Sequence, residues 1–171
     1  MTVFDRELLN FLDNHQVHNK PMGLVTGVFD LLHPGHLQFL QNAKKKMDMM
    51  NGHLLVGLES DLRVRQLKGD DRPINHQQLR KNQLLKTNLA DLVFILPDEF
   101  GQKQVRVDLL VLIKPKLMLV SSSTPNIKEK TKMVENVGGK VEVICGHYQQ
   151  YSTTQLLNKQ PALTKAPHHN L

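Results

Sequence analysis

Two histidines three residues apart, His33 and His36, carry the clearest chemistry in this sequence. They lie in the string GVFDLLHPGH, between an apolar run that begins at Met22 and an amphipathic stretch, HLQFLQNAKKK. Pro34 restricts the backbone and Gly35 frees it, as expected where a strand ends and a helix begins. The free N–H groups of a helix N-terminus attract anions, and imidazoles donate hydrogen bonds to phosphate oxygens. The motif therefore predicts a polyphosphate site that stabilises charge on a phosphoryl group under attack.

The elements that would position this site alternate between apolar runs and helical patterns. Strands are predicted at 22–28, 54–58, 92–96, 117–120 and 141–145, and helices at 4–14, 35–47, 77–87, 105–113, 127–137 and 152–158, with a polar loop after the second strand. This alternation is typical of an α/β fold in which a parallel five-stranded sheet has helices on both faces. Such sheets bind ligands beyond the carboxyl ends of their strands, where the strand order reverses.

Composition narrows the class of protein. The chain has 171 residues and a formal net charge of +6, which favours anionic partners such as nucleotides and phosphates. Aromatic residues make up only 5%, so a base-stacking surface and a nucleic-acid partner are not expected. The single cysteine excludes an internal disulfide, and the sequence contains neither a signal-peptide pattern nor a membrane span. We therefore expect a cytoplasmic protein without a membrane partner.

The domain organisation follows from the same patterns. We predict a helical extension and linker over residues 1–20, one folded catalytic domain over 21–159, and a disordered tail over 160–171. A Ser-Thr-Thr run opens the last predicted helix, where hydroxyl groups and free N–H groups can cap the helix, bind phosphate, or do both. Two acidic residues, Asp30 and Asp61, stand near the predicted anion site. They could orient an acceptor, assist a metal or hold a basic residue, and the sequence leaves these roles open.

Several strings together resemble one family. GVFDLLHPGH resembles the HxGH signature of the nucleotidyltransferase superfamily, especially its cytidylyltransferase-like branch. LKGDDRPIN, at 67–75, resembles a loop of bacterial D-glycero-heptose 1-phosphate adenylyltransferases, and LLVGLESD and YSTTQLL resemble further segments of these enzymes. Glycerol-3-phosphate cytidylyltransferases are similar to nearly the same degree. The motifs span residues 22–158 in the family's order, so the resemblance implies a Rossmann-like fold of the HxGH type.

The resemblance also implies a reaction. An acceptor phosphate attacks the α-phosphorus of a nucleoside triphosphate, and pyrophosphate leaves. ATP with a sugar phosphate is the first choice, CTP with glycerol phosphate or another alcohol phosphate is the alternative, and adenylation of FMN is a third candidate. Mg²⁺ would accompany the triphosphate without direct ligation by the protein, and a homodimer is expected.

The family pattern assigns roles to individual residues. The catalytic residues would be His33, His36 and Lys68, the last reaching over the phosphates from a mobile loop. Backbone groups of Val28 and Phe29 would bind the nucleotide. Further contacts with nucleotide or phosphate are implied for Arg80, Ser152, Thr153 and Thr154, whereas acceptor- or metal-orienting roles stay open for Asp30, Asp61 and Arg72. Arg72 could instead brace the loop, and Arg80 could be an ordinary arginine on a helix surface.

One segment departs from the family pattern. After the fourth strand the related enzymes carry glycine and aspartate, whereas this chain has LVSSSTPN at 119–126. The hydroxyl groups of 121–124 could form a different phosphate cradle, or the segment could be an ordinary serine-rich loop. The departure motivates an alternative of another class, a nucleotide sensor without catalytic activity.

Overall fold

A five-stranded parallel sheet forms the centre of the computed structural model, which describes residues 3–16 and 19–145. Its strands are β1 Met22–Gly27, β2 His53–Leu58, β3 Leu92–Ile95, β4 Leu117–Ser121 and β5 Lys140–Cys145. They lie in the order β3-β2-β1-β4-β5, and every neighbouring pair is parallel. The predicted Rossmann-like sheet is thereby confirmed. The predicted helix at 152–158 and the tail at 160–171 lie outside the described residues.

Within the described ranges, six α-helices and one 3₁₀ helix connect and flank the strands. The α-helices are α1 Arg6–Gln16, α2 Pro34–Met49, α3 Asp61–Lys68, α4 Gln77–Lys86, α5 Lys103–Ile113 and α6 Ile127–Glu135, and the 3₁₀ helix is Asp98–Gly101. None of these helices is long and apolar enough to cross a membrane. The strands and five of the helices lie close to their predicted positions.

Helix α3 replaces part of the polar loop that the sequence predicts after β2. Ser60 caps the helix, because its Oγ accepts a hydrogen bond from the Arg63 N–H at 3.1 Å. Val64 is the only residue of the helix that is buried, so the segment lacks the repeated apolar positions by which a helix is recognised. Lys68, expected on a mobile loop, is instead the last residue of α3.

Two apolar clusters cover the two faces of the sheet. Successive residues of β1 belong to different clusters, because successive side chains of a strand point to opposite faces of the sheet. Leu24 joins one cluster and Val25 joins the other. The Leu24 cluster includes residues of α5 and α6, and the Val25 cluster includes residues of α2. Helix α1 also contributes to the first cluster through Leu8 and Leu12, which are fully or almost fully buried.

The strand order reverses between β1 and β4. From β1 the chain passes through α2 to β2 on one side, whereas β4 begins the other half of the sheet. Segments 28–33, after β1, and 122–126, after β4, therefore lie at the position where doubly wound sheets bind ligands. The first of these segments contains His33. The second is the end of LVSSSTPN, the segment that departs from the family pattern.

Candidate active site

The two histidines of the motif lie together at the N-terminus of α2. His33 is the N-cap residue, and its Nδ1 accepts a hydrogen bond from the backbone N–H of His36 at 3.3 Å. The two imidazole rings are stacked, with centroids 3.6 Å apart and planes inclined by 20°. Two ring systems and the positive end of the α2 dipole are thus concentrated beyond β1, where an anion is favoured.

Both histidines are neutral at pH 7. Burial lowers the pKa of His33. Burial also lowers the pKa of His36 to about 4, with His33 and the Lys68 charge adding to the effect and the Leu31 backbone opposing it. Since Nδ1 of His33 is an acceptor, the proton of the neutral ring is on Nε2, which makes Nε2–H a hydrogen-bond donor. The Nε2–H of His33 is therefore suited to bind a phosphate oxygen as a neutral donor.

The turn between β1 and α2 is held by the ring of Phe29. This residue has φ of +47°, in the left-handed region that few residues with side chains adopt. Its ring packs 5.2 Å from the ring of His36 and lies so close to Gly27 that a Cβ there would come within 2.8 Å of Phe29 Cε2. Backbone strain of this kind, about 1–3 kcal/mol, is characteristic of functional sites.

Arg80 forms an internal brace, and its predicted contact with phosphate stays a prediction. The side chain is fully buried. Its guanidinium donates to the Asn75 carbonyl at 2.9 Å, to the Val28 carbonyl at 2.7 Å and to Asp61 Oδ1 at 2.7 Å. Asp61 therefore holds a basic residue, and the Val28 carbonyl is already engaged by the protein. The three contacts tie the turn after β1 to α3 and α4.

Asp30 and Arg72 form a second brace. Asp30 Oδ2 accepts from Arg72 Nε and from the Ile74 N–H, and Oδ1 accepts from the Asn75 N–H, each at 2.9 Å. Burial raises the pKa of Asp30, but these N–H groups and the Arg72 guanidinium outweigh it and hold the pKa below its ordinary value. Of the roles left open, Asp30 holds a basic residue, and Arg72 braces the loop.

Lys68 completes the cluster of charges around the histidines. Partial burial and the Arg72 guanidinium lower the pKa of Lys68, and the Asp30 carboxylate opposes them. Its own charge is close enough to lower the pKa of His36. The structure thus brings the three predicted catalytic residues into one neighbourhood, although Lys68 comes from a helix end.

The LVSSSTPN segment ends β4, next to β1 in the sheet. Ser121 Oγ lies 3.0 Å from Ser123 Oγ and 3.4 Å from Thr124 Oγ1, so the hydroxyl groups hydrogen-bond one another. Asn126, at φ of 55°, begins α6 without a side-chain cap. The hydroxyl cluster therefore borders the same crevice as the histidine turn. Ser152, Thr153 and Thr154, predicted to meet the histidines, lie outside the described residues.

Sequence reasoning missed a group of charged residues on the other face of the sheet. Glu59, Arg63, Arg106 and Lys130 line a cavity of about 250 Å³ together with mostly apolar residues. Burial raises the pKa of Glu59, and the surrounding cations Arg63, Lys130, Arg80 and Arg106 oppose it. The sequence gives little signal for this group, because its members lie on three helices and on the β2–α3 connection, and each resembles an ordinary surface charge.

No group of three or more His, Cys, Asp or Glu side chains within 3–16 and 19–145 could hold a metal ion. Asp30, the carboxylate nearest the histidine turn in sequence, is already engaged by Arg72 and two backbone N–H groups. With Asp30 engaged in this way, a divalent cation at this site would be held mainly by phosphate oxygens and would have few or no ligands from the described chain.

Comparison with known proteins gives consistent matches. The model of the cytidylyltransferase-like family matches residues 24–159. The bifunctional protein HldE of Campylobacter fetus is 32% identical over 165 residues, which cover 91% of this chain and 32% of that protein. HldE of Bradyrhizobium diazoefficiens is 33% identical over 138 residues, which cover 81% of this chain and 26% of that protein. The chain thus spans about a third or less of the length of these relatives.

A solved structure shares the fold. The lipopolysaccharide core biosynthesis protein from Thermoplasma volcanium superposes with a TM-score of 0.58 at 22% sequence identity, covering 73% of this chain and 94% of that one. The architecture of sheet and helices is therefore common to both proteins.

Proposed function

The chain belongs to the cytidylyltransferase-like family, and on that premise we propose that it transfers a nucleoside monophosphate from a nucleoside triphosphate to a phosphorylated small molecule. AMP is the favoured group, and pyrophosphate is the second product. The observation that supports the proposal most strongly is the stacked pair of His33 and His36 at the N-terminus of α2, beyond β1. The helix dipole and the two imidazoles there both favour a polyphosphate.

The reaction needs alignment and charge stabilisation. An oxygen of the acceptor phosphate forms a bond to the α-phosphorus, the bond from that phosphorus to the bridging oxygen breaks, and the electron pair leaves with pyrophosphate. The rings of His33 and His36 contact the phosphate oxygens, His33 as a neutral donor through Nε2–H, and Lys68 adds a positive charge. No covalent enzyme intermediate is required.

The two internal braces keep these donors in position. Arg80 fixes the carbonyl of Val28 and so holds the turn that leads to the histidines. Asp30 holds Arg72 and the loop that follows Lys68. Rigid placement matters because the reaction depends on keeping the acceptor oxygen in line with the bond that breaks.

We propose that Mg²⁺ arrives with the triphosphate. When bound, the ion neutralises charge on the phosphate oxygens and orients the leaving pyrophosphate. The protein's contribution is then to hold the phosphates at the helix N-terminus, with Lys68 beside them. A homodimer and a cytoplasmic location remain predictions from the sequence.

The nucleotide and the acceptor are proposed from similarity. LKGDDRPIN resembles the loop of heptose-phosphate adenylyltransferases, and the matches to HldE support a sugar-phosphate adenylyltransferase. CTP with glycerol phosphate is the alternative, because the matching family model is described as cytidylyltransferase-like. Adenylation of FMN is the third candidate.

Pyrophosphate release separates these candidates. Purified protein with Mg²⁺ is mixed with ATP or CTP and with a heptose 1-phosphate, glycerol 3-phosphate or FMN as acceptor. We expect release with ATP and a sugar phosphate at a rate at least ten times that of any CTP pair. Nucleotide binding without release from any pair would favour the sensor function suggested by the altered LVSSSTPN segment.

A further inference from the structure

Lys130 is a partly buried cation that has no direct partner in the described part of the chain. It is the fourth residue of α6 and lines the cavity of about 250 Å³ together with Arg63 and Arg106. Arg106 donates a hydrogen bond to the Gly101 carbonyl at 2.7 Å, and Arg63 Nε lies 4.0 Å from Glu59 Oε2. The Lys130 ammonium group makes no such contact with the described residues. Among the three described cations of this wall, Lys130 is therefore the one available to a ligand.

The surroundings of Lys130 are short of negative charge. Burial and the neighbouring Arg106 lower the pKa of Lys130, while Glu59 and Glu129 oppose this shift without reversing it. The segment 119–126, which leads into α6, contains hydroxyl groups and no carboxylate. An anion beside Lys130 would stabilise its charged form, because an opposite charge within about 4–6 Å favours ionisation. The site therefore favours an anionic ligand.

Lys130 borders the crevice that contains the histidine turn. Glu59, whose charge acts on Lys130, follows β2, and its N–H donates to the Gly27 carbonyl at the end of β1 at 3.0 Å. Thr26 of β1 lines the same cavity. The hydroxyl-rich segment 121–124 leads from β4 towards α6. Lys130 is thus placed at the carboxyl ends of β1 and β4, where the strand order reverses.

The histidines and Lys130 approach this crevice from opposite faces of the sheet. Helix α2, which His33 caps, packs on the face of the Val25 cluster, whereas α6 packs on the face of the Leu24 cluster. In phosphoryl transfer the attacking and leaving oxygens lie roughly in line, on opposite sides of the phosphorus. With the pyrophosphate end of the nucleotide at the N-terminus of α2, the acceptor phosphate enters from the side of α6.

We propose that Lys130 binds the phosphate group of the acceptor. The inference rests on the proposed transfer reaction and adds a binding residue for its sugar phosphate. Lys68 from α3 and Lys130 from α6 then supply positive charge on two sides of the crevice. An ammonium group binds phosphate as a point charge, so Lys130 attracts the acceptor without fixing the orientation of its oxygens. Its contribution is therefore to acceptor affinity rather than to the rate of the bound complex.

Calorimetric titration with two anionic probes tests the proposal. The nucleotide site is first saturated with Mg²⁺ and the α,β-methylene analogue of ATP or CTP, whichever stabilises the protein more, so that no pyrophosphate can leave. The protein is then titrated with a heptose 1-phosphate or with inorganic phosphate. We expect Lys130→Met to weaken both probes by about tenfold or more, because it removes the charge that contacts the phosphate. Lys130→Arg keeps that charge and should stay within about threefold.

Lys128→Met is the matched control. Lys128 is exposed on the same helix and does not line the cavity, so this variant changes the net charge equally without altering the wall. Its affinities for both probes should stay unchanged, and the methylene analogue should bind all variants equally. Equal losses in Lys128→Met and Lys130→Met would overturn the inference. Losses confined to the heptose ester, or no binding of either probe to the original protein, would overturn it as well.

Pyrophosphate release separates this inference from the transfer reaction. With a heptose 1-phosphate as acceptor, Lys130→Met should raise the KM for the acceptor by about tenfold or more and leave kcat and the KM for the nucleotide nearly unchanged. Probe binding that depends on Lys130, without any pyrophosphate release, would retain the phosphate site and refute the transfer. Release with an unchanged KM for the acceptor in Lys130→Met would retain the transfer and refute the role of Lys130.

Discussion

At the scale of single residues, burial lowers the pKa of both site histidines and favours their neutral forms. The pKa of His36 is about 4, and its ring stacks on that of His33. Two imidazolium ions at this distance would repel each other, so the pair cannot hold two protons without an anion between or beside the rings. A bound polyphosphate should raise both pKa values, which couples protonation of the site to binding.

The pH dependence of stability follows from His36. In the unfolded chain its pKa is near 6.5, and in the folded protein it is about 4, so the unfolded state binds more protons between these values. The contribution of neutral His36 to the free energy of unfolding is fully present above pH 6.5 and is lost as the pH falls towards 4. We predict that His36→Gln reduces this loss by an amount on the order of 2 kcal/mol. The loss is measured as the difference between the free energies of urea unfolding at pH 7 and pH 4.5. Identical losses in both proteins would contradict the burial of a neutral ring.

Arg80 provides a second prediction at this scale. Removing a fully buried cation that holds a carboxylate and two carbonyl groups should cost about 3–5 kcal/mol. We therefore expect Arg80→Met to lower the free energy of unfolding by this amount in a denaturant titration. Arg65→Met, on the exposed surface of α3, is the control and should stay within about 0.5 kcal/mol. A stable Arg80→Met protein with a raised KM for nucleotide would support the predicted role of phosphate ligand.

The part of this site that lies within one local motif can be predicted from the sequence, whereas the contacts between distant residues cannot. The histidine turn is predictable because its Pro, Gly and His residues are consecutive and act on one another. The partners of Asp30 and Arg80 are not, since the Asp30–Arg72 and Arg80–Val28 contacts join residues far apart in the chain. A single sequence shows that arginines and aspartates are present but does not show which of them are paired and buried.

At the scale of elements, α1 is part of the core although the sequence predicts it as an extension. Leu8 is fully buried in the cluster that covers one face of the sheet, and the Asp5 carboxylate accepts a hydrogen bond from the Ile95 N–H of strand β3 at 3.0 Å. The amphipathic spacing predicts a helix correctly. It does not indicate the docking site, because any apolar face could cover that helix.

A pair of adjacent leucines tests the docking of α1. Leu8→Ala should lower the free energy of unfolding by about 2–5 kcal/mol, because it leaves a cavity in the core. Leu9→Ala changes the same residue type on the same helix, but Leu9 is 39% exposed, so the expected loss is much smaller, at most about 1 kcal/mol. Equal effects of the two substitutions in a denaturant titration would show that α1 is not packed on the sheet.

At the scale of the whole molecule, the sheet topology determines where ligands meet. The strand order β3-β2-β1-β4-β5 places the histidine turn and the hydroxyl-rich end of β4 side by side, and the cavity lined by Glu59, Arg63, Arg106 and Lys130 lies at the same edge of the sheet. The alternation of strands and helices is sufficient to predict a parallel sheet with helices on both faces, but it does not predict the strand order. The cavity could not be predicted, because it depends on how α3, α5 and α6 pack.

Nucleotide binding should stabilise the whole fold. A ligand that binds only the native state adds about 2.7 kcal/mol at a concentration one hundred times its Kd. We therefore predict that saturating ATP with Mg²⁺ raises the melting temperature by several degrees, and that CTP at the same concentration raises it less. No shift with either nucleotide would remove the basis for a nucleotide site.

The histidine pair is tested most directly by pyrophosphate release from three single variants with the best nucleotide and acceptor. His76 is the matched control, because it caps α4 through Nδ1 just as His33 caps α2. We predict that His33→Ala and His36→Ala each lower kcat about a hundredfold or more while remaining folded, as removal of an oxyanion donor does. His76→Ala should retain nearly full activity and lose only the cap, about 1 kcal/mol of stability. Full activity of His36→Ala would contradict the proposed role of the stacked pair.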